Sequence, residues 1–261
     1  MTNTLKIDLS KERNRTDLSV PIGGQIYDHS NTPLIHDGID FTGRGDGLHQ
    51  EKGIVIFLDV LGMKGIWKNL DFDPREVINR WDSAVRSFQN ALDENRQYLN
   101  TATYFKVLSD TIIITIPSSL SYGLVGQAFD LILKPFIESM KMRMLLRGVI
   151  SYGTYYLSKR LIIGPAVDDA ASNHNRLNWI GVSLSPSLAS RINDIEKFAT
   201  DSIIYYTMIP HKDTPYPSMV LNWPDNDPDG ECYSILRSEG QNSADHIKYE
   251  NTYMFYDSVM G

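Results

Sequence analysis

The chain has 261 residues, 42% of them hydrophobic, enough for one large or two small packed domains, which excludes disorder throughout. A formal net charge of −7 gives no electrostatic support to general binding of nucleic-acid phosphates. The single cysteine, Cys232, excludes an internal disulfide and argues against a structural zinc site. No stretch nears the roughly 18 consecutive apolar residues of a membrane span, and the opening MTNTLKIDLSKERNR lacks the apolar core of a signal peptide. A soluble, cytoplasmic protein is expected.

Residues 1–48 are polar and rich in Gly and Asp, and read as an arm. From Gly53 the punctuation becomes regular. GIVIFLD is a short apolar run closed by a carboxylate and a glycine turn, the pattern of a central strand entering a loop. A helix is expected from Asp73, where DPRE offers a cap, a proline at the first helical position and a glutamate at the third. Val77, Trp81, Val85, Phe88 and Leu92 recur at helical spacing and form one apolar face. TYFKVL and TIIITIP, separated by Ser109 and Asp110, predict a tight hairpin. A second helix is expected from Ser121 to Met142, kinked at Pro135. LLRGVISYGTYYL reads as strand, glycine turn and strand, followed by RLIIG and a helix opening near Pro165. The order β-α-β-β-α-β is that of an α+β, ferredoxin-like split βαβ fold. WIGVSLS, a short helix over 186–192 and SIIYYTMI add elements at the sheet's edge, and residues 210–261 read as a C-terminal extension. The central domain is therefore expected over 49–209.

Asp59 stands at the carboxyl end of the first strand, where open α/β sheets place ligands. In a split βαβ sheet that strand neighbours the middle hairpin, so Asp59 and Asp110 are expected to meet at one end. Paired carboxylates repel unless a divalent cation neutralises them, and oxygen ligands suit Mg²⁺ or Mn²⁺, usually together with substrate phosphates. The competing reading makes Asp59 a cap and Asp110 a turn residue. Leu61, Gly62, Met63 and Lys64 follow in a turn whose glycine lets N–H groups converge on an anion. Arg147 is placed to reach phosphate oxygens or to make a surface ion pair, and Lys106 alternates with Phe105 and Val107 as a strand residue facing solvent.

These stretches together resemble the catalytic domain of the class III nucleotide cyclases. FLDVLGMKG is similar to that family's first metal motif, FKVLSD to its Lys-x-x-Gly-Asp hairpin, LRGVISYG to its Arg-x-Gly-Ile-x-x-Gly strand, and IGPAVDDAAS to its Gly-x-x-Val-Asn-x-Ala-x-Arg helix, over residues 53–205. Four motifs in order are more specific than any one. The resemblance implies two Mn²⁺ or Mg²⁺ ions on Asp59, Asp110 and the Val60 carbonyl. It implies a triphosphate cradled by the amides of Leu61 to Lys64 and bordered by Phe57, a phosphate contact from Arg147, and Lys106 facing the base. It also implies a homodimer with sites at the interface.

Within the family the chain looks most like the bacterial pyrimidine cyclases of Pycsar antiphage defence, which make cyclic UMP or cyclic CMP for a separate effector. Several positions depart from the family pattern. Asp168 and Ser172 stand where purine cyclases carry an Asn and an Arg, and Leu161 where adenylate cyclases place a base-reading Asp. Ser109 replaces the hairpin glycine, and Gly148 comes one place early. The missing transition-state arginine leaves Arg176 or a residue of the second subunit as substitutes. The other readings are a nucleotide-binding regulator without turnover and, disfavoured by the acidic charge, a ferredoxin-like RNA-binding module. The scattered histidines offer hydrolase chemistry no foothold. Trp223 is expected to pack the tail against the dimer.

Overall fold

The computed structural model describes residues 47–62, 74–99, 103–158, 161–192, 200–241 and 243–261. The expected N-terminal arm to residue 46, the Asp73 cap, Met63 and Lys64 lie outside the described residues. Eight strands form one sheet. β1 (His49–Val60), β2 (Tyr104–Leu108), β3 (Thr111–Pro117) and β4 (Leu146–Leu157) take the spatial order β2-β3-β1-β4, all antiparallel to their neighbours. With α1 (Pro74–Glu94) between β1 and β2 and α2 (Tyr122–Lys141) between β3 and β4, this is the expected α+β, ferredoxin-like βαββαβ core.

β1 is the centre of the sheet. Ile54, Val55, Ile56 and Leu58 are fully buried, because β3 and β4 flank the strand and helices lie on both of its faces. Side chains alternate along a strand, so the register sorts them into two sets. Ile54, Ile56, Leu58 and Val60 share a face with Gly148, Ile150 and Tyr152. The Tyr152 hydroxyl on that face accepts from the Leu120 amide just ahead of α2, at 2.9 Å. Val55, Phe57 and Asp59 share the other face with Arg147, Val149 and Ser151. Ser151 Oγ donates to the Ala166 carbonyl of α3 (Pro165–His174) at 2.6 Å, so α3 covers this second face.

The periodic face expected for α1 is buried at Val77, Phe88 and Leu92 and partly buried at Trp81 and Val85, where it joins the core shared with α2. α2 opens on Ser121, whose side chain accepts from the Leu124 amide at 3.1 Å; Pro135 is buried within the continuous helix.

There is no glycine turn at Gly153, and β4 runs unbroken for twelve residues. Gly153 pairs with Gly53 across the β1–β4 ladder, where a Cβ at Gly53 would lie 2.2 Å from the Ile116 carbonyl oxygen and one at Gly153 would touch Ala166 at 3.5 Å. The two glycines let strand and helix close in; neither reverses the chain.

Beyond β4, a short β5 (Ile162–Ile163) folds back on it, and β6 (Gly181–Leu184) pairs with it in parallel after α3. β8 (Tyr216–Leu221) lies between β6 and β7 (Ile203–Ile209). The boundary expected after residue 209 thus falls in the turn of a β7–β8 hairpin. α4 (Pro186–Ala189), a 3₁₀ turn (Pro224–Asn226), α5 (Glu231–Gly240) and α6 (His246–Met260) complete the chain. Trp223 is fully buried inside its own chain, 6.3 Å from the Phe255 ring and 5.6 Å from Tyr256, instead of serving a second subunit.

Candidate functional site

At the carboxyl end of β1, Asp59 lies across from Thr111 on β3 and Arg147 on β4. Its side chain is only 15% exposed, so the charge must be met by protein. The two carboxylate oxygens are treated differently. Oδ2 accepts from Arg147 Nε at 3.3 Å and Nη2 at 3.2 Å, and His174 Nε2 stands 3.5 Å from it. Among the described residues Oδ1 has only the Thr111 hydroxyl, at a long 3.4 Å. Burial pushes the Asp59 carboxyl up, but His174 and then Arg147 outweigh it and hold the group below its ordinary value.

Asp110 occupies the tip of the β2–β3 hairpin, beside Ser109, whose φ of 58° is in the left-handed region. Glycine takes that conformation without steric cost, which accounts for the glycine of the motif this turn resembles. Trp81 Nε1 of α1 donates to the Ser109 carbonyl at 3.0 Å and pins the tip. The Val60 amide donates to the Asp110 carbonyl at 3.0 Å. Asp59 and Asp110 are thus at one end of the sheet, one register position apart, and Thr111, which touches Oδ1, adjoins Asp110.

The same face carries the other expected residues. Register aligns Lys106, Ile113, Phe57 and Val149 in one row, and Leu108, Thr111, Asp59 and Arg147 in the next. Lys106 is half-buried. Arg147 also donates from Nη1 to the Leu177 carbonyl at 3.3 Å, so it is held from two sides. Leu61 N–H is bonded to the Leu145 carbonyl at 2.8 Å, which ties down the first amide expected in the phosphate cradle. Gly62 has φ 87° with open space around it, so its need for glycine is conformational. Asp168 and Ser172 sit on the exposed face of α3, and Leu161 is exposed. Arg176 is paired with Asp213.

His174 belongs to the site and was not among the expected residues. Its ring lies 4.6 Å from that of Phe57, its Nδ1 is 2.8 Å from the Ala171 carbonyl, and its side chain is 7% exposed. The signal in the sequence is its place in the stripe Ala166, Val167, Ala170, His174, the buried side of α3. A histidine that ends an apolar stripe is a polar group committed to the core.

Among the described residues no group of three or more His, Cys, Asp and Glu side chains forms a metal cluster. The donors at this end are two carboxylates and a backbone carbonyl, which is hard-cation chemistry. An ionised Oδ1 short of donors in a part-buried position fits one divalent cation there. A second ion would have to rely on other oxygens or displace Arg147 and His174 from Oδ2. Asp59→Ala strips Arg147 of its carboxylate partner in a site where both side chains are under 16% exposed.

No protein-family model matches the chain, and no curated protein matches it. Among solved structures it is similar to a bacterial light-regulated adenylyl cyclase at 12% identity and a TM-score of 0.46, covering 76% of this chain. It spans 58% of that protein's length. A second bacterial light-regulated adenylyl cyclase structure matches at 10% identity and a TM-score of 0.40, over 73% of this chain and 98% of the other. Among the described residues no helix is long and apolar enough to cross a membrane.

Proposed function

We propose that the chain is a nucleotidyl cyclase that converts a pyrimidine ribonucleoside triphosphate, UTP or CTP, to its 3′,5′-cyclic monophosphate and pyrophosphate. The observation that carries this reading is the placing of Asp59 and Asp110 at one end of the central strands, one register position apart, with Arg147 and Lys106 on the face of Asp59. In the reaction the ribose 3′-oxygen attacks the α-phosphorus, the bond to the β-phosphate oxygen breaks, and the hydroxyl proton passes to solvent. Bound Mn²⁺ or Mg²⁺ would supply activation of the 3′-hydroxyl and neutralisation of the departing charge. Asp59 through Oδ1, Asp110 and the Val60 carbonyl would hold such ions. Arg147 turns from Oδ2 toward phosphate oxygens, an exchange of one charge-assisted bond for another. With the Leu61 amide tied to Leu145, the amides of Gly62 to Lys64 would cradle the triphosphate, Phe57 would border it, and Lys106 would face the base. The reading includes a homodimer with shared sites and a cyclic pyrimidine nucleotide that signals to a separate effector in antiphage defence.

The exposed Asp168 and Ser172, in place of an Asn and an Arg, favour a second reading, a nucleotide-binding regulator of the same fold without turnover. Incubation with each of the four ribonucleoside triphosphates and Mn²⁺, with products identified by mass, separates the two. Cyclic UMP or cyclic CMP is the expected product. Bound UTP or CTP without product supports the regulator, a cyclic purine overturns the pyrimidine assignment, and neither binding nor product overturns both.

A further inference from the structure

We infer that the C-terminal helix α6 positions Arg147, with Asn251 as the positioning residue: it fixes the irregular segment 176–180, whose Leu177 carbonyl holds the guanidinium. This rests on the reading of Arg147 as a phosphate contact and adds the groups that aim it. Arg147 is held on two sides, by Asp59 Oδ2 through Nε and Nη2 and by the Leu177 carbonyl through Nη1 at 3.3 Å. In the proposed reaction phosphate oxygens replace the first hold, so the second is the pivot about which the guanidinium turns.

Residues 176–180 run between α3 and β6, with a single isolated bridge from Leu177 to His211. Leu177, Trp179 and Ile180 are fully buried, so the backbone polar groups here need partners beyond the segment. They find them on two sides. The β7–β8 turn gives backbone bonds: the Lys212 amide donates to the Arg176 carbonyl at 2.8 Å and the Asn178 amide to the Pro210 carbonyl at 2.9 Å. A planar trans peptide sets its N–H opposite its carbonyl, so this second bond sets the direction in which the Leu177 carbonyl points. α6 gives side-chain bonds. Asn251 Nδ2 donates to the Asn178 carbonyl, which can only accept, at 2.7 Å. The Ile180 amide donates to Thr252 Oγ1 at 2.9 Å, and that hydroxyl donates to the Lys248 carbonyl at 2.6 Å. With the peptides on both sides of Asn178 held, its backbone dihedrals are fixed and the Leu177 carbonyl stays aimed at Arg147. Phe255, on the same helix, meets the segment by ring packing on Trp179 at 5.0 Å, which sets no peptide's direction. Among these holds the Asn251 side chain is the one nearest Leu177 that a substitution can remove.

The test reads Arg147 by ¹⁵N magnetic resonance, its guanidinium signals assigned by their loss in Arg147→Lys, alongside thermal melting of each variant. A guanidinium held through Nη1 and Nη2 gives separate signals for the two nitrogens, whereas one that turns freely gives a single averaged signal. The native chain should show separate signals. Asn251→Leu keeps the size of the side chain and removes the donor; it should speed exchange between the two signals by about threefold or more. It should also raise the KM for the pyrimidine triphosphate by about 2- to 30-fold with kcat nearly unchanged, the mark of a binding contact that is lost. Should Asn251→Leu not fold, Asn251→Ala provides the donor-free comparison. An averaged signal in the native chain, exchange at the native rate in the donor-free variant, or an unchanged KM with a lowered kcat overturns the positioning role. A native chain that makes no cyclic product overturns the cyclase reading instead, and the Arg147 signals then still decide whether α6 holds the guanidinium.

Discussion

The carboxyl end of the central strands and the β6–β8 end of the sheet are stabilised in opposite ways. Where β1 meets β4, the interior closes on polar groups: Asp59, Arg147 and His174, each under 16% exposed, with Thr111 the one contact of a carboxylate oxygen among the described residues. Under the β6–β8 end, the interior closes on rings. Trp179 meets Phe255 edge-on at 5.0 Å, Tyr206 meets Phe255 at 5.0 Å, and Trp223 lies beyond, with Trp179, Trp223 and Phe255 fully buried. Aromatic burial stabilises without needing a partner of opposite charge. A buried ion cluster is weak evidence for stability, and its retention is better explained by what the charges do. The contrast separates the part of the molecule that holds the fold from the part to which the chemistry is proposed to belong.

The comparison breaks most visibly in turnover. Asp59→Asn and Asp110→Asn should each reduce cyclase turnover by more than about 100-fold, beyond the loss typical of an outer-shell change, while circular dichroism stays native. Retained turnover in either variant would remove that acid from the site. At the other end, Phe255→Ala should cost about 4 kcal/mol in urea unfolding through the cavity it leaves among Trp179, Tyr206 and Trp223. Turnover by the molecules still folded should be kept. A loss of turnover without a loss of stability would mean that the two ends are not separable.

The charged end should also show itself in acid. Because the folded carboxyl of Asp59 titrates below its ordinary value of 3.8, its stabilising contribution is complete above that pH and is lost as the pH falls through the lowered folded value. Melting curves of the native chain and Asp59→Asn should therefore lie furthest apart above pH 3.8 and converge below it. A constant gap down to pH 3 would show that the ion pairs do not set the charge of Asp59. The smallest effect belongs to the hairpin. Ser109→Gly relieves a left-handed backbone and should stabilise by about 0.5–1 kcal/mol, less the entropy that glycine adds to the unfolded chain. A destabilised variant would point instead to a role for the Ser109 side chain.

The division between the two ends also explains what the sequence could and could not disclose. The βαββαβ order is legible because each element of that half has a local signature: the buried run before Asp59, the helical face from Val77 to Leu92, the two-residue gap at Ser109 and Asp110, and the Ser121 cap. Gly153 misleads because glycine marks a turn and a close approach with the same letter, and only Gly53 opposite it and Ala166 above it decide between them. α6 gives no clean stripe: Ile247, Met254 and Met260 face outward, while Thr252 is buried so that its hydroxyl can accept from the Ile180 amide. Asp59, Asp110, Arg147 and Lys106 are legible as a set through their motifs. His174 is not, because its place in the site depends on a contact between α3 and β1 that no spacing along the chain encodes.

The central claim is that folding makes one cation seat from Asp59 and Asp110. Crystals of the protein grown with Mn²⁺ and a non-hydrolysable pyrimidine triphosphate, measured for manganese anomalous scattering, test it directly. The account predicts a peak within coordination distance of Asp59 Oδ1 and an Asp110 carboxylate oxygen, with triphosphate oxygens completing the shell. A nucleotide bound on this face with no anomalous peak between the two acids, or a peak held by other residues, would contradict it.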